Sequence, residues 1–273
     1  MYECFTTTDK RFKDVVIAGN GRIAVIAMEN SATIYEFESL ETFREYLARS
    51  STTEEGNHRD ERSVIEKDRK SSLPGSETSA TRHHTKGNIQ HLVANASNFC
   101  ALDDEGRVYT WGDNRYGTLG REGSAQIPQL VDHLGDFESG DEPKITKVVV
   151  GGWMMGAVRD DGMAWIWGTQ MPGTERKGGL LDGDGGYIDM TVEIEDKVSG
   201  VLDVLDMAIG EGFVVVVCEG GRLFGLGENG NGQLGEGRKE IHYETWVEIM
   251  HKDVVNVWAG PKTSYIAVNT IVE

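Results

Sequence analysis

Two stretches of this chain repeat one another, and a chain that repeats itself folds as repeated units, each a small piece of supersecondary structure. The first, at residues 98–122, reads NFCALDDEGRVYTWGDNRYGTLGRE; the second, at residues 213–237, reads FVVVVCEGGRLFGLGENGNGQLGEG. Both run from an apolar stretch through acidic residues and Gly-Arg to an alternating segment, then Gly, Asn and Gly-x-Leu-Gly. A third copy, at 156–173, keeps the first half and loses the ending. The glycines Gly112, Gly168 and Gly227 anchor the three copies, 56 and 59 residues apart. A short apolar segment precedes each copy, at 91–96, 147–152 and 204–210, and two further first halves lie at 14–28 and 256–268. The chain thus carries five first halves but only two well-formed second halves.

Each unit reads as three or four short strands joined by glycine turns. Runs such as Val148–Val150 and Val214–Val217 are β-branched and too short for helices. Alternation along Arg107-Val108-Tyr109-Thr110-Trp111 sends Val108 to one face and Arg107, Tyr109 and Trp111 to the other. Gly106 and Gly221 stand where a hairpin turn needs a positive φ. The chain's 35 glycines against 5 prolines fit frequent tight turns without a collagen period. A small sheet of this kind cannot bury both faces alone, and radial stacking of units of roughly 50 residues solves that in a β-propeller. A β-sandwich would share the strand pattern but not the repeat of sequence. The expected fold is therefore all-β, a propeller of about four to five blades, incomplete, open or distorted: residues 1–49 a degenerate first blade, then repeats at 88–143, 144–200, 201–252 and a partial one at 253–273. Residues 1–5 would supply one closing strand at most.

Residues 50–87 break the pattern. They are polar, and from 52 to 87 seven Lys or Arg balance seven Asp or Glu, so the segment reads as a disordered insertion or long loop and not as a basic nucleic-acid arm. His83 and His84 fall in it and are expected in solvent. Just before it, Leu40, Phe43 and Leu47 have helical spacing within residues 40–49.

The chain-wide charge narrows the function. Lys and Arg number 27 against 45 Asp and Glu, a net −18, which argues against a phosphate-binding surface. No apolar run reaches the 18 residues of a membrane span, and the N-terminus lacks a signal-peptide core. Three distant cysteines, Cys4, Cys100 and Cys218, make neither a disulfide framework nor a zinc ribbon. These features place the chain in the cytoplasm or nucleus, with a protein as partner and neither nucleic acid nor membrane.

The repeat resembles the regulator of chromosome condensation repeat family. In the best copy Gly106, Trp111, Gly112, Asn114, Gly117, Leu119 and Gly120 match its unit; in the other Gly221, Gly227, Asn229, Gly232, Gln233, Leu234 and Gly235 do, while Trp167 and Gly168 match in the weaker one. The resemblance implies a propeller of usually seven blades, more than this sequence has units for, so the chain is expected to be short of a full ring. The family's founding member exchanges guanine nucleotide on the GTPase Ran through acidic and histidine residues. The repeat histidine is absent here: the aligned positions hold Arg22, Asn98, Met154, Phe213 and Thr263. The short, degenerate fungal alpha-tubulin suppressor type is similar in degeneracy, acidity and an early blade ending Ile34-Tyr35-Glu36-Phe37. That likeness implies a small metal-binding protein as partner.

Motif residues are assigned to structure: Trp111 and Trp167 pack between blades, and the glycines supply turns and close approach. None forms a phosphate loop, and no Ser-His-Asp set or paired carboxylates in an apolar setting is visible, so no enzyme and no cofactor is expected. Asp182, Asp184 and Glu193 have calcium-loop spacing, but Tyr187 replaces the required glycine and Gly186 offers no side-chain oxygen, so no metal is assigned. The acidic tips at 103–105 and 160–161 are turn residues that would also form a rim for a basic partner, in a salt-sensitive association. Candidate contact residues are Arg115, Tyr116, Trp153, Met154, Met155, Asn229 and Asn231. The apolar triplet Trp153–Met155 reads first as core packing and second as a partner anchor. Two functions follow: a non-enzymatic interaction platform or adaptor, and alternatively a guanine-nucleotide exchange factor for a small GTPase.

Overall fold

The computed structural model describes residues 12–51, 80–135, 143–169, 189–196, 200–236, 240–251 and 253–269. The fold is a propeller arc. Blade 1 comprises β1 (Phe12–Ile17), β2 (Ile23–Ala27), β3 (Thr33–Phe37) and β4 (Thr81–His84), with helix α1 (Leu40–Ser51) between its last two strands. Blade 2 comprises β5 (Ile89–Ala94), β6 (Phe99–Asp103), β7 (Val108–Trp111) and β8 (Gln129–Leu130). Blade 3 comprises β9 (Ile145–Gly151), β10 (Trp153–Arg159), β11 (Ala164–Thr169) and β12 (Asp189–Thr191). A small hairpin, β13 (Glu195–Asp196) with β14 (Gly200–Val201), leads to blade 4: β15 (Val204–Ile209), β16 (Phe213–Cys218), β17 (Arg222–Glu228) and β18 (His242–Ile249). Among the described residues blade 5 comprises β19 (Val254–Gly260) and β20 (Thr263–Val268). Each sheet is an antiparallel meander in chain order.

The repetition extends to details that sequence does not display. The innermost strand of every blade is bulged near its start, between Phe12 and Asp14, Ile89 and His91, Ile145 and Lys147, Val204 and Asp206, and Val254 and Asn256. In four blades one backbone bond spans sixteen residues: Asp104 N to Asn88 O at 2.9 Å, Asp160 N to Lys144 O at 3.0 Å, Glu219 N to Asp203 O at 3.0 Å, and Asn269 N to Asp253 O at 2.9 Å. The tip glycines Gly106, Gly162 and Gly221 have φ of 83°, 87° and 67°. A Cβ on each would strike the first residues of the following blade, at Lys144, Asp203 and Asp253. Those glycines are needed both for the turn and for the closeness of the next blade.

Blades stack by the alternation of their strands. Phe99, Ala101, Tyr109 and Trp111 pack toward blade 1 with Ile26, Ile34 and Leu92, while Cys100, Leu102 and Val108 pack toward blade 3 with Val148, Met155 and Trp167. Both faces of a middle blade are thus buried, which is why its strands carry few polar residues. The end faces are treated differently. On the outer face of blade 1, Phe43 of α1 packs against Phe12 and Phe37, with ring centroids 5.8 and 4.9 Å away, so the helix covers the face that a preceding blade would otherwise cover. On the far face of blade 5, Trp258 and Tyr265 pair across the strands and are 52% and 61% exposed.

One reading is corrected. Thr81–His84, assigned to the insertion, form β4 on the edge of β3. His83 is therefore 6% exposed and faces inward, while His84 faces out. The expected closing strand at residues 1–5 and most of the polar insertion lie outside the described residues.

Candidate functional site

In an antiparallel meander the first and third turns of each blade lie at one end of the strands and the second turn at the other. The β1–β2, β5–β6, β9–β10 and β15–β16 turns and the long β7–β8 and β17–β18 loops therefore share one face, and the acidic tips at 103–105 and 160–161 share the opposite one. The expected rim is thus on the far side from the candidate contact loops, and its carboxylates already have work. Asp103, buried, accepts from Arg107 Nε at 2.7 Å and Tyr109 OH at 3.2 Å. Asp104 accepts from Asn88 Nδ2 at 2.9 Å, which pulls its carboxyl below the usual range, and Arg159 does the same for Asp161.

The repeat motif builds the loops of the contact face. Asn114 Oδ1 accepts from Leu119 N at 3.0 Å and its Nδ2 donates to Arg121 O at 3.3 Å. Asn229 does likewise, accepting from Leu234 N and donating to Glu240 O, both at 3.0 Å. A single asparagine thus folds each loop by supplying the partners its backbone lacks. Trp167 of blade 3 then reaches over the blade 2 loop: its Nε1 donates to Thr118 O at 3.1 Å, and its indole lies where a Cβ on Gly120 would sit 2.6 Å away. These contacts fit the structural roles assigned to Asn114, Gly120 and Trp167.

Three of the seven candidate contact residues converge. Arg115 and Tyr116 stand at the tip of the Asn114 loop, with the guanidinium 5.8 Å from the Tyr116 ring centre. Tyr116, 39% exposed, meets the half-buried Trp153 edge-on at 5.2 Å and 78°. Arg115 also chelates Asp113, with Nε 2.8 Å from Oδ2, and that bond holds the Asp113 carboxyl below its usual pKa. The result is a cation–aromatic–aromatic ledge bridging blades 2 and 3. Asn231 holds the place of Tyr116 in the blade 4 loop and is exposed, with blade 3 between the two. Beside the ledge opens a polar cleft of about 450 Å³ lined by Asn20, Arg22, Ser97, Asp113, Arg115 and Gln126. Its amides and the Ser97 hydroxyl match the donors and acceptors of a peptide backbone; no nucleophile there is set beside a base.

Met154, Met155 and Asn229 are removed from the contact set. Strand alternation sends Met154 into the core shared with blade 4 and Met155 into that shared with blade 2, and neither has exposed surface. Asn229 is 1% exposed and spent on its own loop.

Two polar centres escaped the sequence reading. Buried Glu36 accepts from Trp111 Nε1 at 2.9 Å, lies 3.1 Å from His83 Nε2, and pairs with Arg22, joining blade 1 to blade 2. Burial, and then the charge of Arg22, lower the His83 pKa below 6.5. Buried Asp206 joins three blades: it pairs with Lys147 of blade 3 and accepts from Val257 N of blade 5 at 2.9 Å. Apart from Arg22, which is 14 residues from Glu36, the partners of each centre lie more than forty residues away, and no local pattern marks them. Among the described residues no group of three His, Cys, Asp or Glu side chains is set to hold a metal, and no helix is long and apolar enough to cross a membrane.

Comparison with known proteins agrees with this geometry. Two models of the regulator of chromosome condensation (RCC1) repeat match, at residues 105–158 and 89–118. The chain is 29% identical over 183 residues to the human E3 ubiquitin-protein ligase HERC2, covering 63% of this chain and 3% of that protein. It is 28% identical over 150 residues to the X-linked retinitis pigmentosa GTPase regulator homolog of Caenorhabditis elegans, covering 55% of this chain and 10% of that protein. The crystal structure of human WBSCR16 superposes with a TM-score of 0.57 at 17% identity, covering 91% of this chain and 58% of that one, a likeness of fold. The matches thus span small parts of the curated relatives. With the motif loops, the tip glycines and the stacked blades repeating in register, residues 89–158 carry the regulator of chromosome condensation repeat, and the chain is similar to proteins built from it.

Proposed function

We propose that this chain is a non-enzymatic interaction platform that holds a protein partner on the face carrying the Arg115–Tyr116–Trp153 ledge. The observation that carries the reading is the ledge itself: two aromatic rings and a guanidinium, partly exposed across a blade junction, beside a cleft that offers hydrogen bonds to a peptide. Tyr, Trp and Arg are the residues that most often anchor interfaces, because each adds a large contact area to a polar handle. The net charge of −18 supports a basic partner and a salt-weakened association, and the family supports a cytoplasmic or nuclear setting.

A second reading, nucleotide exchange on a small GTPase, is supported by the likeness to a GTPase regulator homolog. The absence of histidine at Arg22, Asn98, Met154, Phe213 and Thr263 weighs against it. One experiment separates the two. The tagged chain is captured from native lysate beside Tyr116→Ala and Trp153→Ala, with bound proteins identified by mass spectrometry. A partner lost with both variants supports the ledge; a partner retained by both refutes it. Release of a captured GTPase by added nucleotide would assign the exchange class, and a basic or small metal-binding protein indifferent to nucleotide the platform.

A further inference from the structure

We infer that the polar cleft between the turns of blades 1 and 2 holds an acidic side chain, Asp or Glu, of the protein that the ledge binds. The inference deepens the platform reading and rests on it, since it names the group that such a partner presents beside Arg115. Three turns wall the cleft, each continuous among the described residues: the β1–β2 turn with Asn20 and Arg22, the β5–β6 turn with Ser97, and the β7–β8 loop with Asp113, Arg115 and Gln126. Gly19 N, donating to Asn95 O at 2.9 Å, ties the first turn to the second.

The β5–β6 turn is built with donors to spare. Asn95 Oδ1 accepts from the backbone N–H of Asn98 at 3.0 Å and of Ser97 at 3.3 Å, and Asn98 Oδ1 accepts from Asp113 N. Those backbone donors fix both carboxamides, because turning either round would set an NH2 against an N–H. Both amide nitrogens are therefore left over. Asn95 Nδ2, Asn98 Nδ2 and the Ser97 hydroxyl belong to residues 8%, 0% and 8% exposed, and none has a partner among the described residues. A buried donor left idle costs the hydration it gave up, so three in one turn mark a place where an acceptor arrives from outside.

The charges point the same way. Arg22 is anchored through Nη2 on buried Glu36 and stands in the cleft wall, which leaves the N–H groups of Nε and Nη1 for a ligand. The carboxylates nearby are engaged: Arg115 chelates Asp113, and Glu36 also accepts from Trp111 Nε1. An ionised carboxyl group can accept from Arg22 and from the Ser97 hydroxyl together, and charge-assisted bonds to arginine are the strong ones. Arg115 belongs both to the cleft and to the ledge, so a chain held on the ledge passes over the cleft and lowers a side chain into it, not an end. The net charge of −18 draws a basic partner from a distance, while the cleft selects one acidic residue within it at contact.

The test uses the full chain, 15N-labelled, and three acetylated peptides: acetyl-Gly-Gly-Glu-Gly-Gly-amide, its Gln counterpart, and acetyl-pentaglycine with a free terminal carboxylate. Nuclear magnetic resonance titration follows the backbone amides of Asn20, Ser97, Asn98 and Asp113. Saturable shifts centred on these four are expected with the Glu peptide, with at least about tenfold weaker binding of the Gln peptide and weaker binding of the free-terminus peptide. Arg22→Gln should weaken the Glu peptide by at least about tenfold. Ser97→Ala should weaken it about fivefold while leaving the urea midpoint unchanged or higher, because the hydroxyl it removes has no partner to lose. Equal affinity for the Glu and Gln peptides, no shifts at millimolar concentration, tighter binding of the free-terminus peptide, or a lowered Ser97→Ala midpoint would overturn the inference. The ledge is tested separately by Tyr116→Ala and Trp153→Ala: a lysate partner that still depends on those rings survives a failed titration, and a failed capture leaves the titration as it is.

Discussion

Trp153 and Trp167 stand on neighbouring strands of one blade, and replacing each with alanine should have opposite consequences. Trp167 has no exposed surface and donates its N–H to Thr118 O. A buried tryptophan hides about 200 Å², which at about 25 cal/mol per Å² amounts to about 5 kcal/mol, and the unmatched carbonyl adds about 1 kcal/mol. Partial collapse of the cavity between blades 2 and 3 returns some of this, so Trp167→Ala should cost about 4 kcal/mol. Trp153 is half-buried against Tyr116, and Trp153→Ala should cost about 1 kcal/mol while abolishing capture of the partner. Urea unfolding followed by far-UV circular dichroism, which does not depend on the indole removed, reads both costs from the midpoints at constant slope. If Trp167→Ala costs under about 2 kcal/mol, or if Trp153→Ala costs as much as Trp167→Ala, the separation of blade glue from contact surface is wrong.

Three further predictions concern positions away from the ledge. Asp206→Ala leaves the buried Val257 N–H unmatched and Lys147 without its carboxylate; because Lys147 is 35% exposed, the loss should be about 3 kcal/mol, and the amides of β19 should exchange faster. His83 has a folded-state pKa below 6.5, so its contribution is complete above that value and is lost as pH falls through the folded pKa; chemical denaturation between pH 7.5 and 5 should show the slope, and His83→Gln should flatten it. Burial pushes the Cys218 thiol up to about 12 and raises that of Cys100 as well, so in a Cys4→Ser chain neither should react with a thiol reagent at pH 8 until denaturant unfolds the blades.

How much of this was legible depended on the range of each interaction. The tip glycines, the motif asparagines and the alternation of Tyr109 and Trp111 act within a few residues or across adjacent strands, so they left a periodic trace. Helix α1 was readable from Leu40, Phe43 and Leu47, but its role, covering the outer face of blade 1, was not, because that depends on Phe12 and Phe37 arriving from other strands. β4 was missed since its four residues, Thr81–His84, are polar; its edge position and one inward side chain, His83, need no apolar pattern.

The same division separates the candidate contacts. The sequence marked Arg115, Tyr116 and Trp153 together with Met154, Met155 and Asn229, because residue type alone does not tell a core methionine or a loop-folding amide from an exposed anchor. The stacking of blades made the choice: a β-strand turns successive side chains to opposite faces, and in a middle blade both faces are core. By itself the sequence determined the propeller class, the number of units and the chemistry of each turn, since those are local and repeated. Only the tertiary structure decided which carboxylates are buried, as Glu36 and Asp206 are, which loops share a face, and that the Trp167 indole lies on the blade 2 loop at Gly120. Each of those depends on groups brought together from different blades, whose distance along the chain leaves no periodic trace.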